Sequence, residues 1–322
     1  MILTLMVDDD DMIELKNLVF ALSYMDNGAY TTDNPDRLVW AFQKLRGIFA
    51  PYKISLQQFV TNQTSLQTFI DENQEQTPET VKLLGIKWNR LTDTFTTNRL
   101  HLNLEANTKR LILRSIHENF DPFNFNGPLL NRARIFMHEL QTNRNLNWDT
   151  KLSDDLLKEW KNICKQVNSA PEISLKRFVG KRNGRFRLIA FTDSSKVMYG
   201  TVLFIQDLDT QEVNFLLAKN KLVCKTLQNK TIPSLEFHAL VLGAETLVDT
   251  YRGLAGERAV VPVNIEELHV YTDSMICIDW INAYVNKFEK LYQKRSVFVL
   301  NRLDKLSKIC ELIPITFSFV QG

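Results

Sequence analysis

The chain has 322 residues, enough for two or three domains. Hydrophobic residues at 44% and charged residues at 24%, with only 11 Gly and 9 Pro, fit a folded protein and argue against long disorder. A net charge of +2 neither demands nor excludes a nucleic-acid partner, because a basic groove can be offset by acidic faces elsewhere.

The first predicted element is a strand over Asn17 to Tyr24, closed by a turn at Met25 to Gly28, where Asn-Gly favours positive φ. Asp33-Asn34-Pro35-Asp36 reads as a helix start, and Leu38, Phe42, Leu45, Ile48 and Phe49 continue it at helical spacing. Thr61 to Thr80 is polar and is expected to be a surface loop containing some helix. Leu83 to Trp88 and Thr94 to Thr96 read as the two strands of a hairpin. Helices are predicted over 107–117, 128–140 and 154–167, with Asp121-Pro122 breaking the chain between the first two.

Past Pro171 the pattern changes. Strands are predicted at 186–193, 200–206 and 213–218, then a helix from Ser234 to about Thr250 and a strand from Leu268 to Asp273. Two more helices, Ser274 to about Ala283 and about Lys294 to Glu311, precede a last strand in which Ile313, Ile315, Phe317 and Phe319 alternate. The order β-β-β-α-β-α-α-β implies a mixed sheet with helices on its faces.

Four cysteines, Cys164, Cys224, Cys277 and Cys310, show no paired spacing and suit a reducing compartment. No apolar run reaches about 18 residues, so no membrane span is expected. The N-terminus lacks the basic and long apolar regions of a signal peptide. The protein is therefore expected to be intracellular, cytoplasmic or nuclear, and not secreted.

Three acidic residues stand out. Asp193 and Asp273 each end a predicted strand, and Glu236 lies in the first turn of a helix whose Leu240, Gly243 and Leu247 share its face. If the two strands are parallel neighbours, both aspartates emerge at one edge with Glu236 above them. Three carboxylates at one place repel unless cations are present, and hard oxygen donors select Mg²⁺ or Mn²⁺. Two such ions, about 4 Å apart, support phosphodiester hydrolysis. Asp-Ser after a strand is also an ordinary helix cap.

Phe191-Thr192-Asp193-Ser194-Ser195, Tyr199-Gly200, Ile232-Pro233-Ser234-Leu235-Glu236-Phe237, Thr272-Asp273-Ser274 and Asn301-Arg302 together resemble the ribonuclease H domain of BEL/Pao-type LTR retrotransposon polyproteins. Upstream, Leu84 to Asn89 with Asp93-Thr94-Phe95 is similar to the end of the family's reverse-transcriptase palm, and Phe120-Asp121-Pro122 with Leu140 to Asp149 to its connecting region. The resemblance implies an α/β fold: a ribonuclease H-like mixed five-stranded sheet with flanking helices, preceded by a partial palm and a mainly helical thumb/connection region. It implies a palm remnant at 1–100, the helical region at 101–178 and a ribonuclease H-like domain at 179–322. Asp193, Glu236 and Asp273 become metal ligands and catalytic residues, and the substrate an RNA–DNA hybrid.

Two departures bear on activity. Tyr24-Met25-Asp26-Asn27 stands where the family's polymerase has Tyr-Val-Asp-Asp, so Asp26 is retained but Asn27 is neutral, and polymerase activity is not expected. The superfamily's fourth acidic residue follows the last strand, and the sequence reaches Gly322 before it; the nuclease domain is expected to be truncated there. Arg182, Arg185, Lys219 and Lys221, within basic stretches at 176–187 and 219–225, are the candidate nucleic-acid contacts. Two hypotheses follow: a metal-dependent ribonuclease with a non-functional polymerase remnant, or a catalytically inactive, domesticated nucleic-acid-binding or scaffold protein. A plain α/β structural module or a recombinase-like relative is a third.

Overall fold

The computed structural model describes residues 28–32, 34–53, 58–72, 77–142, 146–179, 183–256, 262–286 and 296–321. The predicted strand at 17–24, and Asp26, Asn27, Lys181 and Arg182, lie outside them. The chain forms two compact units, one from its N-terminal part up to Thr96 with Ser174–Phe178, the other from Thr97–Ile173 and the chain from Val179 onward.

In the first unit, helix α1 (Pro35–Phe49) starts where Asn34 accepts the N–H groups of Asp36 and Arg37 and Pro35 presets the first turn. Helix α2 (Thr64–Asp71) supplies Leu66 and Ile70, which bury Phe42 together with Phe59. Strands β1 (Thr80–Leu83), β2 (Ile86–Asn89), β3 (Thr94–Thr96) and β4 (Ser174–Lys176) form an antiparallel sheet in that order. The segment expected as one strand from Leu83 to Trp88 is instead broken. Leu84 and Gly85 both have positive φ, 50° and 83°, and make the tight turn between β1 and β2. Burial pushes the Asp93 carboxyl up, but hydrogen bonds from Arg177 (2.6 and 2.8 Å) and the Trp88 indole (2.9 Å) outweigh this and hold it below the usual range.

The second unit opens with helices α3 (Lys109–His117), α4 (Gly127–Thr142) and α5 (Asp154–Asn168). Thr108 caps α3 by accepting from Leu111, and Asp154 and Asp155 complement the dipole at the start of α5. The helices close on Trp160, which stacks on Phe136 and donates its indole N–H to the Asn103 carbonyl.

Strands β5 (Phe186–Ser194), β6 (Met198–Asp207), β7 (Val213–Leu222), β8 (Ile265–Thr272) and β9 (Thr316–Phe319) form a five-stranded sheet ordered β7-β6-β5-β8-β9. The first three pair antiparallel, and β8 and β9 join parallel to β5. Both chain crossovers carry helices, α6 (Ile232–Leu254) before β8 and α7 (Met275–Val285) with α8 (Val297–Leu312) before β9. The final strand is shorter than its alternation suggests, because Ile313 and Ile315 precede it and pack against the core instead.

Phe186, Leu188 and Ala190 of β5, Leu203 and Ile205 of β6, and Leu268 and Val270 of β8 lie under Phe237, Leu240, Ala244 and Leu247 of α6. Gly243 lets this helix approach: a Cβ there would overlap the Thr192 methyl and come within 3.3 Å of the Thr201 hydroxyl. The opposite sheet face carries a row of rings, Phe215, Phe204, Phe191 and Tyr271, with Phe125 set edge-on to Phe215. The helical segment is tied to β7 by Ala218 N–H donating to the Phe123 carbonyl and by Arg134 and Asn131 gripping the Asn220 amide.

Gly243→Ala gains helix propensity but meets the Thr192 methyl, so it is expected to lower stability by about 1–3 kcal/mol in chemical denaturation. Adding Thr192→Ser removes that methyl and should recover most of the loss. A stabilising Gly243→Ala in the otherwise native chain would show that the helix does not sit this close.

Candidate active site

The site is built at the carboxyl ends of β5 and β8. Their parallel register runs from Leu188↔Leu268 to Thr192↔Thr272, so Asp193, still paired with Gly200 of β6, and Asp273, just past the end of β8, follow at neighbouring positions. Alternation does the rest. Thr192 and Thr272 face the core at 6% and 2% exposure, and both aspartates are exposed. The Thr192 hydroxyl donates to the Tyr271 carbonyl (3.1 Å), and Ser274 N–H donates to the Thr272 hydroxyl (3.2 Å), locking the strand ends and the start of α7.

Helix α6 begins at Ile232, two residues earlier than the sequence suggests, so Glu236 is its fifth residue, just past the first turn rather than within it, and is half-buried. It precedes Gly243 by seven residues, two helical turns on the same face, so it lies toward the sheet about 10 Å along the axis from the close contact with Thr192. The N-terminal ends of α6 and α7 meet where the Cys277 thiol contacts the Pro233 carbonyl at 3.8 Å. Burial pushes the Cys277 thiol up to about 12, a hydrogen bond with Ser274 opposes the rise, and the charges of Glu236 and Asp273 add to it. Asp193 Oδ1 accepts the Ser194 N–H at 2.6 Å.

Among the described residues, no group of three or more His, Cys, Asp or Glu is arranged as a metal cage. The groups that the sequence reading assigns to this sheet end are nonetheless all carboxylates. That set fits a hard divalent ion such as Mg²⁺ or Mn²⁺ better than a soft one.

The basic residues divide. Lys219 and Lys221 are exposed on edge strand β7, two strands from Asp193, through the pairs Asp193↔Gly200 and Gly200↔Asn220. Arg185 precedes β5, about 26 Å along the strand from Asp193 at 3.3 Å per residue. It is held in two hydrogen bonds by Glu266, 2.9 and 3.0 Å. Arg187 is bound to Glu267, and Arg177 to Asp93. Much of the basic stretch at 176–187 thus neutralises acidic partners from remote sequence. One cluster escaped the sequence reading: Tyr199, His238 and Arg302, which are brought together from β6, α6 and α8.

The family of the Pao retrotransposon-like RNaseH-like domain matches residues 108–274, more than half of the chain. The chain belongs to this family. The match takes in the three helices α3 to α5 and the sheet through Asp273. No curated protein sequence matches the chain. Among solved structures, a foamy viral protease-reverse transcriptase dRH in complex with double-stranded DNA is similar over 97% of this chain and 48% of its own, at 12% identity and a TM-score of 0.53. A foamy viral protease-reverse transcriptase in complex with RNA/DNA hybrid is similar over 91% of this chain and 34% of its own, also at 12% identity and 0.53. The Pao-family chain spans about half and a third of these two chains. At this identity they establish fold: a ribonuclease H-like mixed sheet with flanking helices, preceded by a helical and palm-like region. Among the described residues, no helix is long and apolar enough to cross a membrane.

The buried thiols report on this scaffold. Cys224 is exposed, whereas Cys164 and Cys277 are buried and both raised to about 12 by burial. Mass spectrometry of the alkylated native protein should find Cys224 modified first, and Cys164 and Cys277 only on unfolding. Native-state labelling of Cys277 as fast as Cys224 would contradict the closed junction between α6 and α7.

Proposed function

We propose that this Pao-family chain is a ribonuclease H-type hydrolase that cleaves the RNA strand of an RNA–DNA hybrid. The observation that carries this reading is the parallel β5–β8 register, which sets Asp193 and Asp273 at neighbouring strand ends, with Glu236 near the N-terminal end of α6. In this reading Asp193, Glu236 and Asp273 hold Mg²⁺ or Mn²⁺. Such ions, when bound, would supply activation of a water and charge stabilisation at the leaving oxygen of the phosphodiester. Thr192, Thr272 and Gly243 position the three carboxylates by fixing the strand ends and the helix above them. The exposure of both aspartates suits a long polymeric substrate lying across the sheet end. Lys219 and Lys221 contact its backbone, with Arg182 a further candidate; Arg185, engaged by Glu266, is the weakest of the four.

The remaining assignments belong to the same proposal. Residues 1–100 are a palm remnant without polymerase activity, for which Asn27 is the reason, 101–178 a thumb/connection region and 179–322 the nuclease domain. A second reading, an inactive nucleic-acid-binding or scaffold protein, is favoured by one feature. Asp193 turns an oxygen to the Ser194 N–H instead of leaving both oxygens free for an ion.

A labelled hybrid incubated with purified protein and Mg²⁺ or Mn²⁺ separates the two. Cleavage of the RNA strand is expected. Asp193→Asn, Glu236→Gln and Asp273→Asn should each reduce it at least about 100-fold, the upper range for loss of a contact supporting a metal site. Hybrid binding without cleavage would favour the scaffold reading, and absence of binding would contradict both.

A further inference from the structure

The cluster around His238 has no role in the carboxylate chemistry, yet its composition is unusual. Arg302 of α8 lies 3.5 Å over the Phe298 ring and donates its Nε to His238 Nδ1 at 2.9 Å. Lys230, just ahead of α6, rides on the same ring at 4.9 Å. His238 stands 4.7 Å from the Tyr199 ring, and Tyr199 is the cross-strand partner of Lys221. Lys305 lies one turn beyond Arg302 and is paired with Glu245. Burial first, then the charges of Arg302, Lys305 and Lys221, push His238 down to about 4.

His238 is therefore neutral near physiological pH. With Nδ1 accepting from Arg302, its hydrogen sits on Nε2, which is a donor. The cluster then consists of donors: an ammonium from each of Lys221 and Lys230, the Arg302 guanidinium and the His238 N–H. Glu245 is the carboxylate at its border among the described residues, and Lys305 occupies it. A latch between α6 and α8 needs only Arg302 and His238. Lys230, seated on the Phe298 ring, and Lys221, across from Tyr199, are not needed for that latch, and an anion would complete the group.

We propose that Lys221, Lys230, His238 and Arg302 form a binding site for a backbone phosphate of a nucleic-acid strand, distinct from the carboxylate end of the sheet. Tyr199 pairs with Ser194, the residue after Asp193, and Lys221 lies on the next strand, so the site opens roughly 10 Å from Asp193 at about 4.8 Å per strand. A strand whose scissile phosphate lies at Asp193 and Asp273 passes this cluster with a neighbouring segment. Arg302, stacked on Phe298, presents a flat donor edge suited to phosphate oxygens. The inference rests on the hybrid as substrate.

The test is fluorescence anisotropy with a short labelled RNA–DNA hybrid and no divalent ion, so that binding is read apart from cleavage. Lys221→Gln/Lys230→Gln removes two exposed or half-exposed charges, and Arg302→Lys removes the planar fork while keeping its charge. The double variant is expected to bind about tenfold more weakly, with the slope of log K against log salt flattened by about 2. Arg302→Lys, which also loses the bond to His238, should weaken binding in a protein that still unfolds cooperatively. Unchanged affinity and salt slope in both variants, beside a wild-type protein that binds, would overturn the phosphate site and leave the nuclease reading standing. A wild-type protein that does not bind the hybrid would overturn both.

Discussion

The structure depends on the parallel pairing of β5 with β8. These strands are separated by 70 residues of chain that include two antiparallel strands and the longest helix, yet they meet in register through Thr192↔Thr272. The right-handed crossover expected of such a connection places a helix on the sheet face and brings both strand ends to the same side. Without that register, Asp193 and Asp273 would be isolated acidic residues in separate loops. With it they are neighbours, and α6 can start above them only because Gly243 admits the Thr192 methyl. One backbone pairing and one missing side chain thus fix the geometry on which the proposed chemistry rests.

Around that centre, charge is distributed unevenly. Near the other end of β5, Arg185 and Arg187 are each matched by a glutamate at the start of β8, Glu266 and Glu267. That end is electrostatically closed and adds to strand pairing. At the carboxylate end both aspartates face solvent, and Lys219 and Lys221 stand exposed on the edge strand β7. The aromatic row on the opposite face, from Phe215 to Tyr271, stiffens the same four strands without adding polar groups to the site.

Much of this was legible from sequence. The order of elements after Pro171 follows from periodicity and spacing, whereas the parallel pairing of the two Asp-Ser strands was only a condition there, met by the β5–β8 register. The family resemblance carried by Phe191-Thr192-Asp193-Ser194 and its companions agrees with the match over 108–274. What escaped was non-local. Strand β4 is three residues long and exists because β3, some 78 positions away, pairs with it. The turn at Leu84-Gly85 was absorbed into a strand because its flanks are apolar. Arg177 and Arg185 looked like contacts for an anionic polymer, but their carboxylates, Asp93 and Glu266, lie 84 and 81 residues off. The same blindness hid the Arg302–His238 cluster, whose members are 64 residues apart.

The central claim is that Asp193, Glu236 and Asp273 share a divalent ion at the end of the β5–β8 pair. Anomalous diffraction from crystals grown with Mn²⁺ tests it without reference to turnover. The account predicts a peak about 2.0–2.2 Å from oxygens of these carboxylates, the range for small hard divalent ions. A crystal in which Mn²⁺ binds elsewhere, with the three side chains directed apart, would contradict it.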